Sequence, residues 1–185
     1  VIIVGIDYSM TSPSICVHSG DAWSFDNCEF HFRNDNKKLQ SSGRFHHYGI
    51  EFYSSQEERF YQSAEWARKV LKPYKIDLLV LEGYAMGAKG LIFNIAENTG
   101  ALKRMFWEEG IKFITPAPTT VKKFFHGKGN ANKEAMEAAF LAETSVDVKP
   151  IINQTKGSNP SSDIIDSYAM AKFGFFQPKM LVERV

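Results

Sequence analysis

The chain opens on an uninterrupted apolar run, VIIVGI, closed by Asp7. A run of strand length without polar alternation predicts a strand buried on both faces. SICVHS (14–19) predicts a second strand, and AWSFDNCEFHF (22–32), with Trp23, Phe25, Phe30 and Phe32, a half-exposed third. Residues 33–44 are polar and follow no period, so a loop is expected there, with a short strand within HHYGIEFY (46–53). Ser55 is an N-cap residue type followed by Glu57 and Glu58, after which apolar residues recur at Phe60, Ala64, Ala67, Val70 and Leu71 until Pro73. That pattern predicts a helix.

IDLLVLEG (76–83) predicts a further buried strand, ended by Glu82, and residues 90–110 a helix despite the internal Gly100. KFIT (112–115) is a candidate short strand. PTTVKKFF and NKEAMEAAFLAE read as helices joined by the glycine-rich HGKGNAN, and a loop from Thr144 to Ser162 leads into a last helix, SDIIDSYAMAKFG. Strands first, then helices alternating with strands, predict an α/β fold: a mixed sheet flanked by helices. Leu102 and Phe106, with Trp107 beside them, are expected in the core, and His46, His47 and His126 in exposed loops.

Composition changes this picture little. A chain of 185 residues, 44% hydrophobic, buries roughly 70% of its unfolded surface in one core. The net charge of +1 does not announce a polyanionic partner, yet residues 103–133 carry Lys103, Arg104, Lys112, Lys122, Lys123, Lys128 and Lys133 against only Glu108 and Glu109. A local basic stripe is therefore expected on a neutral chain. The two cysteines, Cys16 and Cys28, have neither zinc spacing nor a secretory leader beside them, so buried reduced thiols are expected. No apolar run approaches the roughly 18 residues of a membrane span. A cytoplasmic protein is expected.

The acids carry the chemistry. Asp7 and Glu82 each close an apolar strand, and if those strands are parallel neighbours both carboxylates emerge at the carboxyl edge, where open α/β sheets bind ligands. Asp163 and Asp166, spaced i, i+3, share one face at the start of the last helix. Taken singly, each acid has an ordinary structural reading: a turn former after a strand, a helix cap, or a first-turn acid favoured by the macrodipole. Converging together they would repel, and hard divalent cations resolve that conflict by accepting oxygen ligands. The chemistry such a site points to is phosphodiester hydrolysis. GKG at 127–129 does not satisfy the P-loop pattern, which disfavours an ATP-using protein.

GIDYSMTSPS, VLEGYAMGAKG with a following ENTGAL, and SSDIIDSYAMA, in this order and separation, resemble the RuvC-type Holliday junction resolvases, particularly the variants encoded by bacteriophages. The resemblance implies an RNase H-like fold over residues 1–185 as a single nuclease domain. It also implies a homodimer and paired nicks in branched DNA with two Mg²⁺ or Mn²⁺ ions per site, acting in the host cytoplasm if the source is a phage. By position, Asp7, Glu82, Asp163 and Asp166 match the family's acidic metal ligands. Lys133 and Lys122 resemble basic residues near the scissile phosphate, with Lys123 and Lys128 as further DNA contacts. Tyr84 stands, in a shifted place, for an aromatic expected to stack on an unpaired base, and Ser9 replaces a familiar glycine. A broader debranching nuclease and a non-catalytic junction binder remain open alternatives. The apolar excess of the helix from Leu91 to Trp107 is the candidate dimer interface, or a face buried beneath the C-terminal helix.

Overall fold

A computed structural model describes residues 1–83 and 92–177. Six strands form one mixed sheet in the order β4-β3-β2-β1-β5-β6. They are β1 (Ile2–Asp7), β2 (Ser14–Ser19), β3 (Cys28–Arg33), β4 (Phe45–Tyr48), β5 (Leu78–Leu81) and β6 (Phe113–Ile114). The hairpin β1–β2 and the pair β2–β3 are antiparallel, whereas β5 lies parallel to β1, β6 to β5 and β4 to β3. Six helices accompany them: α1 (Gln56–Leu71), α2 (Ile92–Glu108), α3 (Pro118–His126), α4 (Lys133–Thr144), α5 (Val148–Ile151) and α6 (Ser161–Phe176).

Successive residues of a strand point to opposite faces, so β1 feeds two cores. Ile3 joins Cys16, Phe30, Phe32 and Val80 under α6, while Val4 and Ile6 join Ile15, Val17, Leu79 and Leu81 under α1 and α2. Burial on both faces accounts for the continuous apolar runs. It also corrects the third strand: residues 25–27 form a 3₁₀ turn capped by Ser24, and the strand proper begins at Cys28 and is buried on both faces apart from Glu29. Ser55 caps α1 by accepting from the Glu58 amide, as its sequence context predicts.

Helix α6 is apolar nearly all round because it is an inner helix, lying on β1, β2 and β5 with α3 and α4 packed behind it. Its seat on β1 depends on Gly5. A Cβ there would lie 2.1 Å from the Ser167 carbonyl oxygen and 2.3 Å from the Ala171 nitrogen. Farther along the same helix, a Cβ on Gly174 would meet Val80 at 2.6 Å. The small residues Ser167, Ala171 and Gly174, at i, i+4 and i+7, thus let the helix axis approach the sheet.

Other expectations change in detail. The loop from Thr144 to Ser162 contains α5, capped by Asp147. Asp163 does not cap α6, whose cap position is Pro160, and Asp163 sits in the first turn instead. Trp107 is not core: Phe106 is fully buried, but Trp107 on the next face of α2 is 81% exposed. His46 and His47 lie on β4 rather than in a loop. Cys16 and Cys28 are buried free thiols. Among the described residues no helix is long and apolar enough to cross a membrane.

The close approach at Gly5 separates two glycine substitutions. Gly5→Ala is expected to lower the melting temperature by several degrees, since overpacking against backbone costs about 1–3 kcal/mol. Gly100→Ala, mid-helix and with nothing within 4 Å of the added Cβ, is expected to raise stability by up to about 1 kcal/mol. Thermal denaturation of the two variants checks both signs; equal effects would show that α6 is not seated as described.

Candidate active site

Asp7 is the last residue of β1 and pairs with Ser14 across the hairpin. The parallel partner β5 stops at Leu81, opposite Ile6, and the Glu82 amide donates to the Ile6 carbonyl at 3.1 Å. Both acids therefore stand at one carboxyl edge on neighbouring strands. The chain leaves this edge at Gly83, whose amide donates to the Pro116 carbonyl at 3.0 Å and where a Cβ would approach that oxygen to 2.7 Å.

Asp7 lies two residues beyond Gly5, and Asp166 immediately precedes Ser167, the residue that touches Gly5. The helix–strand contact thereby sets Asp166 and, one turn earlier, Asp163 against Asp7. Asp7 and Asp163 are buried, Glu82 and Asp166 half-buried.

The four carboxylates differ in their partners. Asp163 Oδ2 accepts from Ser9 Oγ at 3.1 Å, from Asn159 Nδ2 at 2.9 Å and from the Ser12 hydroxyl, and its Oδ1 accepts from Ser162 Oγ at 3.2 Å. None of Asp7, Glu82 and Asp166 makes a side-chain hydrogen bond or ion pair among the described residues. A buried carboxylate without a partner is costly as an anion, and the proton affinities register this. Burial first, then the charges of Glu82, Asp163 and Asp166, pushes Asp7 well above the usual carboxylate range. Burial and the charges of Asp166 and Asp163 push Glu82 up to about 7, against the pull of Lys122. Burial and the charge of Asp163 raise Asp166 to about 6, against Lys122 and Lys133. Burial raises Asp163 in spite of its hydroxyl donors.

Two of the four expected lysines belong to this constellation. Lys133, the first residue of α4, donates from Nζ to Asn159 Oδ1 at 2.6 Å and to Ser158 and Ser162 Oγ at 3.2 Å each. Its charge acts on Asp7, Asp163 and Asp166, and that of Lys122 on Glu82 and Asp166. Lys123 and Lys128 are exposed and are not among the charges acting on the four acids. Tyr84 lies outside the described residues. Sequence reasoning missed the polar cradle of Asp163, namely Ser12, Asn159 and Ser162, and noted Ser9 only as a replaced glycine. Short hydroxyl and amide residues in turns ordinarily satisfy their own backbone, so their types gave no signal.

The donor set is all oxygen, which suits a hard divalent cation. As they stand, no three His, Cys, Asp or Glu side chains among the described residues are gathered around one point. The fit rests instead on three unpartnered carboxylates sharing one edge.

Neither a protein-family model nor a curated protein matches the sequence. Solved structures do match over nearly the whole chain. Thermus thermophilus RuvC in complex with a Holliday junction substrate aligns over 97% of this chain and 95% of its own, with a TM-score of 0.65 at 16% identity. This chain has the RuvC-type fold. The yeast mitochondrial Holliday junction resolvase aligns over 96% of this chain and 79% of its own, with a TM-score of 0.60 at 12% identity. Fowlpox virus resolvase, solved with Holliday junction DNA, covers 99% and 100%, with a TM-score of 0.53 at 14% identity.

The raised carboxyl groups bind protons more tightly folded than unfolded, so their contribution to stability is greatest below the ordinary carboxylate range and falls as pH rises from about 4 to about 7. Asp7→Asn removes one of the repelling charges. At pH 8 in chelator the variant is expected to melt at least about 2–4 °C above the parent, the shift that about 1 kcal/mol produces in a chain of this size. The difference should vanish near pH 4. An Asp7→Asn protein that melts lower than the parent at pH 8 would show that Asp7 is held by a favourable partner.

Proposed function

We propose that residues 1–185 form one metal-dependent endonuclease domain that nicks Holliday junctions and other branched DNA. The observation that carries this reading is that Asp7, Glu82 and Asp166, without hydrogen-bond partners among the described residues, stand with Asp163 at one sheet edge of a RuvC-type fold and feel one another's charge. Charge logic supports it. Four carboxylates against Lys122 and Lys133 leave an acidic site, which a polyanionic substrate enters only if cations intervene. Asp7, Glu82, Asp163 and Asp166 would hold Mg²⁺ or Mn²⁺, two per site. Such cations supply charge neutralisation, an activated water and stabilisation of the departing oxygen.

The remaining steps belong to the chain's own side chains. Ser9, Ser12 and Asn159 hold the Asp163 carboxylate in place, so the site acid with hydrogen-bond donors among the described residues is the pre-oriented one. Lys133, tethered by Asn159, Ser158 and Ser162, is held beside the acids, where its ammonium meets negative charge accumulating on phosphorus oxygens. Lys122 acts on the Glu82 side of the site. Lys123 and Lys128 are exposed cations suited to the DNA backbone beyond it.

Two nicks related by a two-fold axis call for two copies of the site, and closed dimers satisfy that symmetry. Phe93 at 78% exposure and Trp107 at 81% leave α2 with an apolar outer surface suited to a second copy. Leu91, part of the same expected interface, lies outside the described residues.

Strand-specific cleavage of labelled four-way, three-way and fork DNAs in Mg²⁺ tests the reading. Asp7→Asn, Glu82→Gln and Asp166→Asn are each expected to lower nicking by at least about 10²-fold while leaving junction binding in place. Lys133→Met is expected to slow turnover at saturating DNA, whereas Lys123→Met should lower the salt slope of binding by about one unit. Near-parental nicking by the Asp7 variant would remove the chain from the nuclease class. Single uncoupled nicks by a monomer would favour the debranching alternative over paired resolution.

A further inference from the structure

Lys133 stands near the site's carboxylates and pairs with none of them. Its charge acts on Asp7, Asp163 and Asp166, yet it makes no ion pair among the described residues. Nζ donates instead to three neutral oxygens, Asn159 Oδ1 at 2.6 Å and the Oγ atoms of Ser158 and Ser162 at 3.2 Å each. Stability does not account for this placement. Lys133 is the first residue of α4, and its acceptors flank the start of α6, so it lies beside two helix N-termini, where the macrodipole disfavours a cation. The residue is exposed, within reach of a substrate arriving from solvent.

Asn159 is the group between the opposite charges. Oδ1 accepts from Lys133, from Ser162 Oγ at 2.9 Å and from Ser158 Oγ at 3.2 Å, while Nδ2 donates to Asp163 Oδ2 at 2.9 Å and to Ser12 Oγ at 3.1 Å. Charge selects this orientation of the amide: reversed, its NH₂ would face the ammonium and its oxygen the carboxylate. One amide thus separates lysine from acid while hydrogen-bonding both. Ser162 repeats the bridge, accepting from Lys133 and donating to Asp163 Oδ1 at 3.2 Å.

An ammonium paired directly with a carboxylate would occupy an oxygen that a divalent cation needs, and the pair would cancel its charge. Neutral acceptors satisfy the ammonium hydrogens and leave the charge directed at phosphate oxygens.

We infer that Asn159 is a positioning residue, a neutral spacer that keeps Lys133 off the carboxylates so that the acids can take cations and the ammonium can face the DNA phosphate. The inference rests on the acids holding a divalent cation. Without the spacer, the long and flexible Lys133 side chain folds onto Asp163 or Asp166 and competes with the metal.

Mn²⁺ binding to the DNA-free chain, read from the free-ion paramagnetic resonance signal, tests the spacer through a double-mutant cycle. Asn159→Ala is expected to weaken Mn²⁺ binding by at least about fivefold, but by less than about twofold when Lys133→Met is also present. Such rescue is specific to competition by the lysine, since an Asp163 that has merely lost its orientation stays misplaced in the double variant. Ser158→Ala removes an acceptor that touches Lys133 and Asn159 but no acid. It is expected to show the same coupling at about twofold, and provides the test if Asn159→Ala fails to fold. Equal weakening in both backgrounds, unchanged affinity in the folded Asn159→Ala chain, or a parent chain that binds no Mn²⁺ would overturn the inference. A chain that shows the rescue but nicks no branched DNA would keep the spacer and remove the nuclease reading. Nicking by the parent together with equal weakening in both backgrounds would remove the spacer alone.

Discussion

Helix α6 touches β1 where Gly5 has no side chain, and the position of the two helix acids relative to Asp7 follows from that contact. The Ser167 carbonyl and the Ala171 backbone occupy the space a Cβ would need. The backbone of α6 therefore lies against the strand that ends in Asp7, with the helix start projecting past the sheet edge. Asp163 and Asp166 reach Asp7 for this reason, and Glu82 joins them because β5 is the parallel neighbour of β1. The rest of the fold reinforces the seat: α3 and α4 cover the far side of α6, and α1 and α2 cover the other face of the sheet.

Bringing these acids together opposes folding. Each is taken out of water and toward like charge, and among the described residues only Asp163 is compensated by hydrogen bonds. Two lysines reduce the repulsion without removing it, since the acids retain raised proton affinities in their presence. Strain of this kind is retained where a ligand relieves it, and a cation bound to the folded chain alone would return stability by mass action.

Much of this was legible in the sequence because the decisive signals are local. VIIVGID and IDLLVLEG identify two buried strands by their continuous apolar runs, and each ends in its acid; the spacing of Asp163 and Asp166 fixes a shared helix face. Pairing Lys122 and Lys133 with the acids came from the family resemblance; in the fold the charges of both act on acids of the set. The features that were missed depend on tertiary placement. Ser12 and Asn159 are separated by 147 residues and meet only when α6 is seated. Trp107 shares a helical pattern with Leu102 and Phe106, but one residue of rotation takes it to the solvent side. The half-exposed reading of CEFHF failed because both faces of β3 are covered, which alternation of aromatic and polar residues does not reveal.

The central claim is that the four carboxylates form one cation site. Titrating Mn²⁺ into the DNA-free protein, with the free-ion paramagnetic resonance signal as the readout, tests it most directly. The account expects saturable loss of the free signal to a stoichiometry of up to about two ions per chain, reversal by excess Mg²⁺, and marked weakening in Asp7→Asn. A free-ion signal unaffected by the protein, or binding identical in the Asp7→Asn variant, would contradict it.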